Sequence, residues 1–416
     1  MSKLERLIQQ YCPDGVEYVP LSSIGTIKRG NGLQKKDFVK AGIGCIHYGQ
    51  IYTKFGLFTN KTLTYVDKEL ADHLLHIEKG DLVIACTSEN VEDVCKAVAW
   101  LGDDSIVTGG HSCVLHHNQN PKYIAYFFQT ESFQRQKRKY AYGTKVIDIK
   151  PDSIGKIEIP LPPLPVQEEI VRILDAFTEL QAELQAERQK RKQQYNYYLD
   201  NLLNFKNINR RGGYQAEVRW MKMSEVFEIR NGYTPSKAKK EFWEGGTIPW
   251  FRMEDIRQNG RILSDSILHI TPKGVKGKGL FKANSFILAT TATIGEHALI
   301  IVNSLANQQF TNLSICKSLE NELSVKYVYY YFFVIDEWCK ANTNVSNFAS
   351  VDMSKFYNLL IPIPSIAEQQ RIVAILDRFD TLTTDLTQGL PAEIEKRRQQ
   401  YEYYRDKLLT FRRKGA

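Results

Sequence analysis

One long segment occurs twice in this chain. The first copy, Ile159–Phe205, opens with IPLPPLPVQEEIVRILDAF, and the second copy, Ile361–Phe411, opens with IPIPSIAEQQRIVAILDRF. Asp175 of the first copy matches Asp377 of the second, which lies 202 positions further along. Self-similarity at a fixed offset is typical of a chain built from two related halves, so we expect two copies of one structural unit.

Each copy predicts a proline-rich lead followed by a long amphipathic helix. Apolar and aromatic residues recur at alternating steps of three and four, which is typical of a coiled-coil seam. Residues 166–205 would run about 60 Å as one helix, the size of a spacer. Two ordinary bundle helices are the alternative. The residues assigned to the coiled coil and subunit interface are Ile173, Phe177, Leu180, Leu184, Tyr195, Leu202, Ile375, Phe379, Leu382, Tyr401 and Leu408.

The segments before the two helices also match. VEYVPLSSIGTIKRG (Val16–Gly30) aligns with VRWMKMSEVFEIRNG (Val218–Gly232), and the apolar run LVIACT (Leu82–Thr87) aligns with FILATT (Phe286–Thr291). Between these borders the two halves diverge. We interpret a shared frame with different middles as two domains that read different targets; neutral drift of an old duplication is the alternative. RRGG (Arg210–Gly213) is the predicted linker.

Composition limits the class of protein. With 416 residues, 43% of them hydrophobic and 25% charged, the chain is typical of a protein with two or three folded domains. It has no run of 18 apolar residues, so we expect no membrane-spanning helix.

The seven cysteines argue against a disulfide framework or a CxxC metal site, because their number is odd and the closest two lie nine apart. They favour a reducing cytoplasm. A net charge of +8 favours an anionic partner such as nucleic acid.

Five loops combine basic, small and aromatic residues: Lys28–Lys36, Arg135–Lys145, Ile229–Lys240, Ile248–Gly260 and Thr271–Gly279. One charged loop is usually only solvated, but five on two duplicated domains favour DNA binding. Lysine and arginine neutralise phosphates, whereas polar and aromatic tips reach base edges. We predict phosphate contacts from Lys28, Arg29, Lys35, Lys36, Arg230, Lys237, Lys239 and Lys240. Lys145 is predicted to bind DNA without an assigned type of contact. We predict base contacts from Asn31, Gln34, Asn231, Tyr233 and Arg252.

Enzyme motifs are missing from the sequence. TPKGVKGKG lacks the glycine spacing and the Ser or Thr of a phosphate-binding P-loop, and no GxGxxG occurs. The chain also lacks the NPP-aromatic or DPP-aromatic tetrapeptide that an amino-methyltransferase needs to hold its target amine. His73 and His76 have no evident third metal ligand, so we interpret them as packing or surface residues. His111, His116 and His117 are likewise interpreted as structural. We expect neither a catalytic site nor a metal site.

These features resemble the specificity (S) subunit of type I restriction–modification systems, over essentially the whole chain. Gly389–Phe411 is similar to the distal conserved region of that family, IPLPPLPVQEEIVRILDAF to its central one, and Cys12–Gly25 to the entry of a first target-recognition domain. The resemblance implies an α+β fold, with two pseudo-symmetric mixed α/β target-recognition domains joined by two long antiparallel coiled-coil helices. The expected domains are an N-terminal helix (1–12), target-recognition domain 1 (13–160), a central conserved long helix (161–209), target-recognition domain 2 (210–364) and a distal conserved long helix (365–416).

The same resemblance implies a non-catalytic, cytoplasmic subunit that recognises DNA by sequence. Each target-recognition domain would read one half of a split site on double-stranded DNA, and the helices would set the gap and dock two modification subunits. Those subunits would bind S-adenosylmethionine and methylate adenine, and restriction subunits would use ATP and Mg to translocate and cut. No cofactor and no membrane are therefore expected for this chain itself. A coiled-coil scaffold without sequence-specific DNA binding and a fused, self-sufficient methyltransferase are the alternatives.

A short repeat lies inside the first helix. TELQAELQAERQ (Thr178–Gln189) consists of three tandem four-residue units and resembles the spacer repeats of some family members. Each unit adds about 6 Å of helix, or at most about two base pairs. We therefore expect a deletion of Ala182–Gln185 to shorten the non-contacted gap and to leave both half-sites unchanged. A low-complexity, solvated helix is the alternative.

Overall fold

The two halves of the chain build two units with the same internal plan. The structure, a computed structural model, describes residues 2–205, 218–277, 279–344, 349–384 and 389–415. The predicted linker Arg210–Gly213 lies outside the described residues. Unit 1 comprises Met1–Ala186 and Glu393–Ala416, and unit 2 comprises Glu187–Ala392. The C-terminal segment thus completes the unit that the N-terminal half begins.

The strands of unit 1 are short and mostly antiparallel. They are β1 (Tyr18–Pro20), β2 (Gly25–Arg29), β3 (Ile43–Ile46), β4 (Phe58–Thr59), β5 (Thr64–Val66), β6 (Leu75–Ile77), β7 (Leu82–Ala85), β8 (Thr87–Ser88), β9 (Ala97–Trp100), β10 (Ile106–Thr108), β11 (Ser112–His117), β12 (Ile147–Asp148) and β13 (Glu158–Pro160). The described strands of unit 2 follow a similar succession, without counterparts of β6 and β8 between the corresponding strands. They are β14 (Arg219–Lys222), β15 (Phe227–Asn231), β16 (Ile248–Phe251), β17 (Ile262–Leu263), β18 (His269–Ile270), β19 (Ser285–Ala289), β20 (His297–Ile300), β21 (Leu305–Ala306), β22 (Phe310–Ile315), β23 (Thr343–Asn344), β24 (Ser350–Val351) and β25 (Leu360–Ile363).

A five-stranded sheet forms the centre of each unit. Its order is β2-β11-β7-β9-β4 in unit 1 and β15-β22-β19-β20-β17 in unit 2. In both sheets every pair is antiparallel except the last, β9 with β4 and β20 with β17. The apolar runs that predicted buried strands form β7 and β19, which are buried along their whole length. The matched sequence frame therefore codes for the same sheet twice.

A smaller sheet lies beside the five-stranded one in each unit. In unit 1 its order is β5-β3-β10-β6, and among the described residues of unit 2 it is β18-β16-β21. The pairs β3 with β10 and β16 with β21 are parallel. Each of these sheets passes directly into the larger one, because β10 is followed by β11 and β21 by β22. A short loop joins the two strands in each case: 109–111 in unit 1 and 307–309 in unit 2.

The helices flank these sheets and extend beyond them. They are α1 (Lys3–Tyr11), α2 (Leu21–Ile24), α3 (Tyr48–Thr53), α4 (Lys68–Ala71), α5 (Pro121–Phe127), α6 (Glu131–Arg138), α7 (Pro151–Gly155), α8 (Leu164–Leu203), α9 (Met223–Val226), α10 (Met253–Asn259), α11 (Val325–Ala341), α12 (Met353–Asn358), α13 (Ile366–Thr384) and α14 (Leu390–Leu408). Helix α8 is continuous over 40 residues, or about 60 Å, which confirms the predicted long helix.

A buried glutamine joins each long helix to its domain. Gln167 on α8 donates to the carbonyl five residues before it, at 2.7 Å, and its Oε1 accepts from the backbone N–H of Asn120, at 3.1 Å. Gln369 on α13 makes the same two bonds, at 2.8 Å each, with Ser324 in place of Asn120. Both side chains are fully buried. Because a buried amide without partners is costly, each glutamine fixes the point where its helix leaves the domain.

An aspartate about two turns further along the helix forms a second joint. Asp175 pairs with Lys122, with Nζ to Oδ2 at 2.6 Å, and accepts a hydrogen bond from the Tyr126 hydroxyl at 2.7 Å. The same roles in unit 2 are taken by Asp377, Lys326 and Tyr330. The helix following the sheet is thus bound to the long helix by one charge pair and one hydroxyl in both units.

In unit 1 the helices α8 and α14 pack antiparallel. Phe177 stacks on Tyr404, with ring centroids 5.5 Å apart and 24° between the planes. Seven residues later, the backbone of Phe411 exchanges hydrogen bonds with the hydroxyl of Tyr18, at 3.0 Å each. Tyr18 itself pairs with Pro160, on the strand that leads into α8. The chain of α14 therefore returns toward the start of α8.

Unit 2 repeats this arrangement with α8 and α13 exchanged in role. Tyr198 stacks on Phe379 at 5.0 Å and 26°. Phe205, beyond the end of α8, lies 6.5 Å from the ring of Tyr327, whose hydroxyl donates to Pro362 on the strand leading into α13. Two mixed α/β domains, each packed on an antiparallel pair of long helices, confirm the predicted fold class.

Two further findings bear on the sequence expectations. Cys86, directly after β7, and Cys113, on β11, are joined as a disulfide, which the odd cysteine count and the spacing did not indicate. In the part of the chain that the structure describes, no helix is both long enough and apolar enough to cross a membrane.

Candidate nucleic-acid interface

The strand pair β2–β11 has one end at the helix junction and the other end in a group of loops. Gly25 pairs with His117 at the junction end, where Gln119 bonds to Gln167 at 3.0 Å. Arg29 pairs with Cys113 at the other end. The strand pair β15–β22 has the same orientation, with Asn231 opposite Thr311 at the far end. We call these far ends the loop ends of units 1 and 2.

Glycine allows two loops to meet at each loop end. A Cβ on Gly30 would lie 2.5 Å from the carbonyl oxygen of Gly109, and a Cβ on Gly232 would lie 2.5 Å from that of Ala306. Carbon and oxygen do not approach so closely without a shift of the backbone. The aligned glycines of the repeat therefore bring the loop after β2 against loop 109–111, and the loop after β15 against Ala306 and Asn307, where loop 307–309 begins.

Most of the predicted DNA contacts of unit 1 are exposed at its loop end or on neighbouring segments. Exposed side chains are found at Lys28, Asn31, Gln34, Lys35, Lys36 and Lys145. Arg29 has a different environment, because its guanidinium bonds to both carboxylate oxygens of Asp148, at 3.1 and 2.6 Å, and to the carbonyl of Gly110 at 2.9 Å. Asp148 raises the pKa of Arg29 above its usual value by hydrogen bonding. Arg29 thus positions loops as well as presenting charge.

The segment Arg135–Lys145 was predicted to be a basic loop, and this prediction is wrong for its first part. Arg135–Arg138 belongs to α6, and Lys137 is buried, with its Nζ donating to the carbonyls of Glu92 at 2.8 Å and Val94 at 2.9 Å. Burial lowers the pKa of Lys137 to about 8. Lys137 therefore satisfies two backbone carbonyls inside the domain and is not available to contact a phosphate.

The loop end of unit 1 also carries a cluster of aromatic rings. His47 lies between Phe38 and Tyr48, with ring centroids 5.8 and 4.6 Å away, and Tyr48 lies 4.7 Å from His111. His111 is exposed, and its Nδ1 is 3.0 Å from the hydroxyl of Thr87. Burial, followed by the charges of Lys35 and His111, lowers the pKa of His47. From the sequence alone His111 is interpreted as structural, and no feature singles out Tyr48.

In unit 2 the three predicted loops meet at Tyr233. Its hydroxyl donates to the carbonyl of Gly274 at 3.2 Å and accepts from the backbone N–H of Lys276 at 2.6 Å, and its carbonyl accepts from the indole of Trp250 at 3.0 Å. Segments that lie up to 43 residues apart in the chain are therefore held together by one tyrosine. Lys278 of the third loop lies outside the described residues.

The remaining predicted contacts of unit 2 fall into two groups. Lys237, Lys239, Lys240 and Asn231 are exposed. Arg230 and Arg252 are half-buried: Arg230 donates to the carbonyl of Leu280 at 2.9 Å and lies 4.8 Å above the ring of Phe281. Arg252 precedes α10, and its Nε is 3.8 Å from a carboxylate oxygen of Glu254. Arg230 therefore has structural partners within unit 2, whereas the Nε of Arg252 is buried without a hydrogen-bond partner.

The predicted coiled-coil residues lie mostly in the helix pairs. Tyr401 is buried in unit 1, where Ile173, Phe177 and Leu408 pack against the core. Tyr195 and Leu202 pack against the core of unit 2. The half-buried positions are Leu180, Leu184, Ile375 and Phe379, and Leu382 is 41% exposed. Core packing thus decreases away from the domains.

The histidines considered as metal ligands have ordinary partners. The carbonyl of His73 accepts a hydrogen bond from Asn31 at 3.2 Å, and the ring of His76 lies 3.2 Å from the hydroxyl of Ser105. Among the described residues, no group of three His, Cys, Asp or Glu side chains is arranged to hold a metal ion.

Comparison with known proteins identifies the family. The family model of the type I restriction modification DNA specificity domain matches twice, at residues 13–194 and 216–396. The EcoR124I/EcoR124II specificity subunit of Escherichia coli is 36% identical over 433 residues, covering 99% of this chain and 97% of the relative. The EcoprrI specificity subunit of Escherichia coli is 54% identical over 204 residues, which is 47% of this chain and about half, 51%, of the relative.

Solved structures agree at the level of the fold. A structure of the type I R-M system has a TM-score of 0.64 at 17% identity, with 95% of this chain and 97% of the other covered. The HsdS subunit from Thermoanaerobacter tengcongensis has a TM-score of 0.53 at 17% identity, with 96% and 97% covered. With two family-model matches and a full-length relative, the chain belongs to the family of type I restriction–modification DNA specificity subunits, and is the non-catalytic DNA-recognition subunit that its sequence predicts.

Proposed function

We propose that units 1 and 2 each read one half of a split site on double-stranded DNA. The observation that carries this proposal is the contrast within the repeat. The two units share one sheet order, one pair of glutamine joints and one pair of ring stacks, whereas their loop ends carry different side chains. Two copies of one scaffold with unlike tips are suited to two unlike sequences. The exposed lysines beside the tips supply attraction to phosphates that is independent of sequence.

In this proposal the long helices set the gap and dock the enzymes. Helix α8 contributes packed side chains to both units, so it is the natural spacer. Two modification subunits that carry S-adenosylmethionine dock on the helices and methylate adenine, and restriction subunits supply ATP- and Mg-dependent cleavage. The chain itself works without a bound cofactor, in the cytoplasm.

The test uses the full chain expressed with its modification subunit. Sequencing of the DNA that the complex methylates is expected to yield one motif made of two fixed halves and a gap of constant length. The chain alone is expected to methylate nothing and to bind duplex DNA with an affinity that falls steeply with salt. A complex that methylates a continuous motif, or a chain whose DNA binding ignores salt, contradicts the proposal. The scaffold alternative predicts no DNA binding at all.

The repeat inside α8 offers a second test. Leu180 and Leu184 are half-buried, while Ala182, Glu183 and Gln185 are exposed. Deletion of Ala182–Gln185 removes about 6 Å of helix, so the gap in the methylated motif is expected to shorten by about one or two base pairs with both halves intact. An unaltered gap, or altered halves, contradicts the role of α8 as a spacer.

A further inference from the structure

Loops 109–111 and 307–309 occupy equivalent places in the two units. Each follows a strand of the smaller sheet and leads into the second strand of the five-stranded sheet. The backbone bonds are equivalent too. The N–H of Gly30 donates to Ser112 at 3.0 Å, and that of Gly232 donates to Phe310 at 2.8 Å. Both loops therefore lie at the loop end, at the far end of their strand from the buried glutamine joint.

The side chains of these loops differ completely between the units. Loop 109–111 reads Gly-Gly-His, and loop 307–309 reads Asn-Gln-Gln. The first presents one imidazole next to a tyrosine ring, and the second presents three amides. The backbone bonds that the loops share also include Cys86 N–H to His111 and Thr290 N–H to Gln309, so the side chains differ on equivalently bonded loops. A change of side chains on a constant backbone is what a change of DNA sequence preference requires.

In unit 1 the loop supports a single protruding group. His111 is exposed, its ring packs on Tyr48, and Thr87 holds Nδ1 at 3.0 Å. These two contacts fix the plane of the imidazole and leave Nε2 for an outside partner. Burial, and after it the charge of Lys35, lower the pKa of the neighbouring His47, so a side chain predicted to contact a phosphate lies near the same point.

In unit 2 the loop is internally braced. Asn307 and Gln309 bond to each other twice, from Nδ2 to Oε1 and from the Gln309 backbone N–H to Oδ1, at 3.1 Å each. Gln308 between them is exposed, and it accepts a hydrogen bond from the hydroxyl of Thr234. A glutamine amide offers a donor and an acceptor side by side, which match N7 and the amino group of adenine in the major groove.

We propose that loops 109–111 and 307–309 are base-reading loops, in which His111 and Gln308 contact base edges of the first and the second half-site. The proposal rests on the proposed function, since it assigns residues to the reading of half-sites. It assigns base contacts to two residues that lie outside the five basic loops predicted from the sequence. His111 contributes one hydrogen bond at a fixed ring orientation, and Gln308 contributes a paired contact that favours adenine.

The experiment compares the methylated motifs of the wild-type complex and of complexes with His111→Ala or Gln308→Ala. His111→Ala is expected to lower discrimination at one base pair of the first half-site by roughly ten- to a hundredfold, and to leave the second half-site unchanged. Gln308→Ala is expected to act in the opposite half only. Matched controls are Asn118→Ala and Ser318→Ala, exposed positions beyond the junction ends of β11 and β22, which are expected to change neither half.

The outcomes separate this inference from the proposed function. If the wild-type complex methylates a split motif and both variants keep that motif with unchanged discrimination, the base-reading loops are refuted and the proposed function stands. If the wild-type complex methylates no split motif, the proposed function itself fails. Thermal unfolding of each variant within about a degree of the wild type excludes loss of folding as the cause. A variant that alters both half-sites at once also overturns the assignment.

Discussion

The junction end and the loop end of each unit differ in how closely the two units agree. At the junction, Gln167 and Gln369 make the same bonds, and Asp175 and Asp377 accept from the same residue types. At the loop end, a histidine beside a tyrosine in unit 1 is replaced by a run of amides in unit 2. Both units attach a long helix to a domain, and their junctions use the same residue types. The loop ends are proposed to contact different base sequences, and their side chains differ.

The largest effect is expected from removal of the junction glutamines. Gln167→Ala and Gln369→Ala each leave a buried backbone N–H and a carbonyl without their partner, which costs about 2–4 kcal/mol of stability in the affected unit. Hydrogen exchange of α5 reports on unit 1 and that of α11 on unit 2. The neighbouring, exposed Gln370→Ala serves as the control and is expected to change little.

The two glutamine substitutions are expected to reduce stability by nearly equal amounts, because both side chains make the same buried hydrogen bonds. A large loss of stability from one substitution and a negligible loss from the other would show that the two junctions share their geometry but differ in how much they stabilise their units. Loss of protection in both α5 and α11 from a single substitution would show that the units do not open independently.

A smaller, pH-dependent effect is expected inside unit 2. His297 on β20 is fully buried, with Nδ1 2.7 Å from Asp336 on α11, and Arg261 reaches the same carboxylate at 3.4 Å. Burial lowers the pKa of His297, against the opposing pull of Asp336. The corresponding position of unit 1, opposite Ile84 on β9, holds Ala97. Only unit 2 therefore has a histidine at this position of the five-stranded sheet.

The sign of the pH effect follows from proton uptake. Below about pH 6.5 the unfolded chain protonates this histidine while the folded chain keeps it neutral, so the unfolded state binds more protons. The free energy of unfolding therefore decreases as the pH is lowered. Between pH 7 and 5.5 the loss is expected to reach at most about 1.4 kcal/mol. Urea unfolding followed by tryptophan fluorescence reports mainly on unit 2, which holds Trp220, Trp243, Trp250 and Trp338. In His297→Gln this pH dependence is expected to be smaller; an identical slope contradicts the assignment.

The sequence predicted the parts of this molecule that repeat. The fixed offset between Asp175 and Asp377 anticipated two equivalent units, and the spacing of apolar residues anticipated a helix that extends from Leu164 to Leu203. Repetition and periodicity depend on local sequence, so they can be read without coordinates. The antiparallel return of α14 to unit 1 could not be read in this way, since it depends on contacts such as Phe177 with Tyr404.

The candidate interface was predicted less well, because charge does not reveal partners. Lys137 resembles its basic neighbours in sequence, yet it is buried against two carbonyls. Arg29 and Arg230 were chosen for their charge, but both have partners within their own unit. Gln308 carries no charge and went unnoticed. The sequence does contain a run of three amides, Asn307–Gln309, between two apolar segments. The equivalence of this run to loop 109–111 is visible only in the shared backbone hydrogen bonds.

The smallest effect is expected from single exposed lysines at the two loop ends. Lys36 and Lys237 are both exposed, and each is predicted to contact a phosphate. Because a phosphate contact releases counterions and carries no sequence information, Lys36→Ala and Lys237→Ala are each expected to reduce the slope of log affinity against log salt by about one. Neither is expected to alter the methylated motif. Lys156→Ala, exposed beside the junction end of unit 1, is the control and should leave the slope unchanged.

The salt dependence of DNA binding separates two kinds of loop-end residue. Lysines that hold phosphates should be interchangeable between the units, as the junction glutamines are, while His111 and Gln308 should not. A lysine substitution that changes the preferred base in one half-site would place that lysine among the base-reading groups. A slope that changes equally in Lys156→Ala would mean that the whole surface of unit 1, and not its loop end, attracts the DNA.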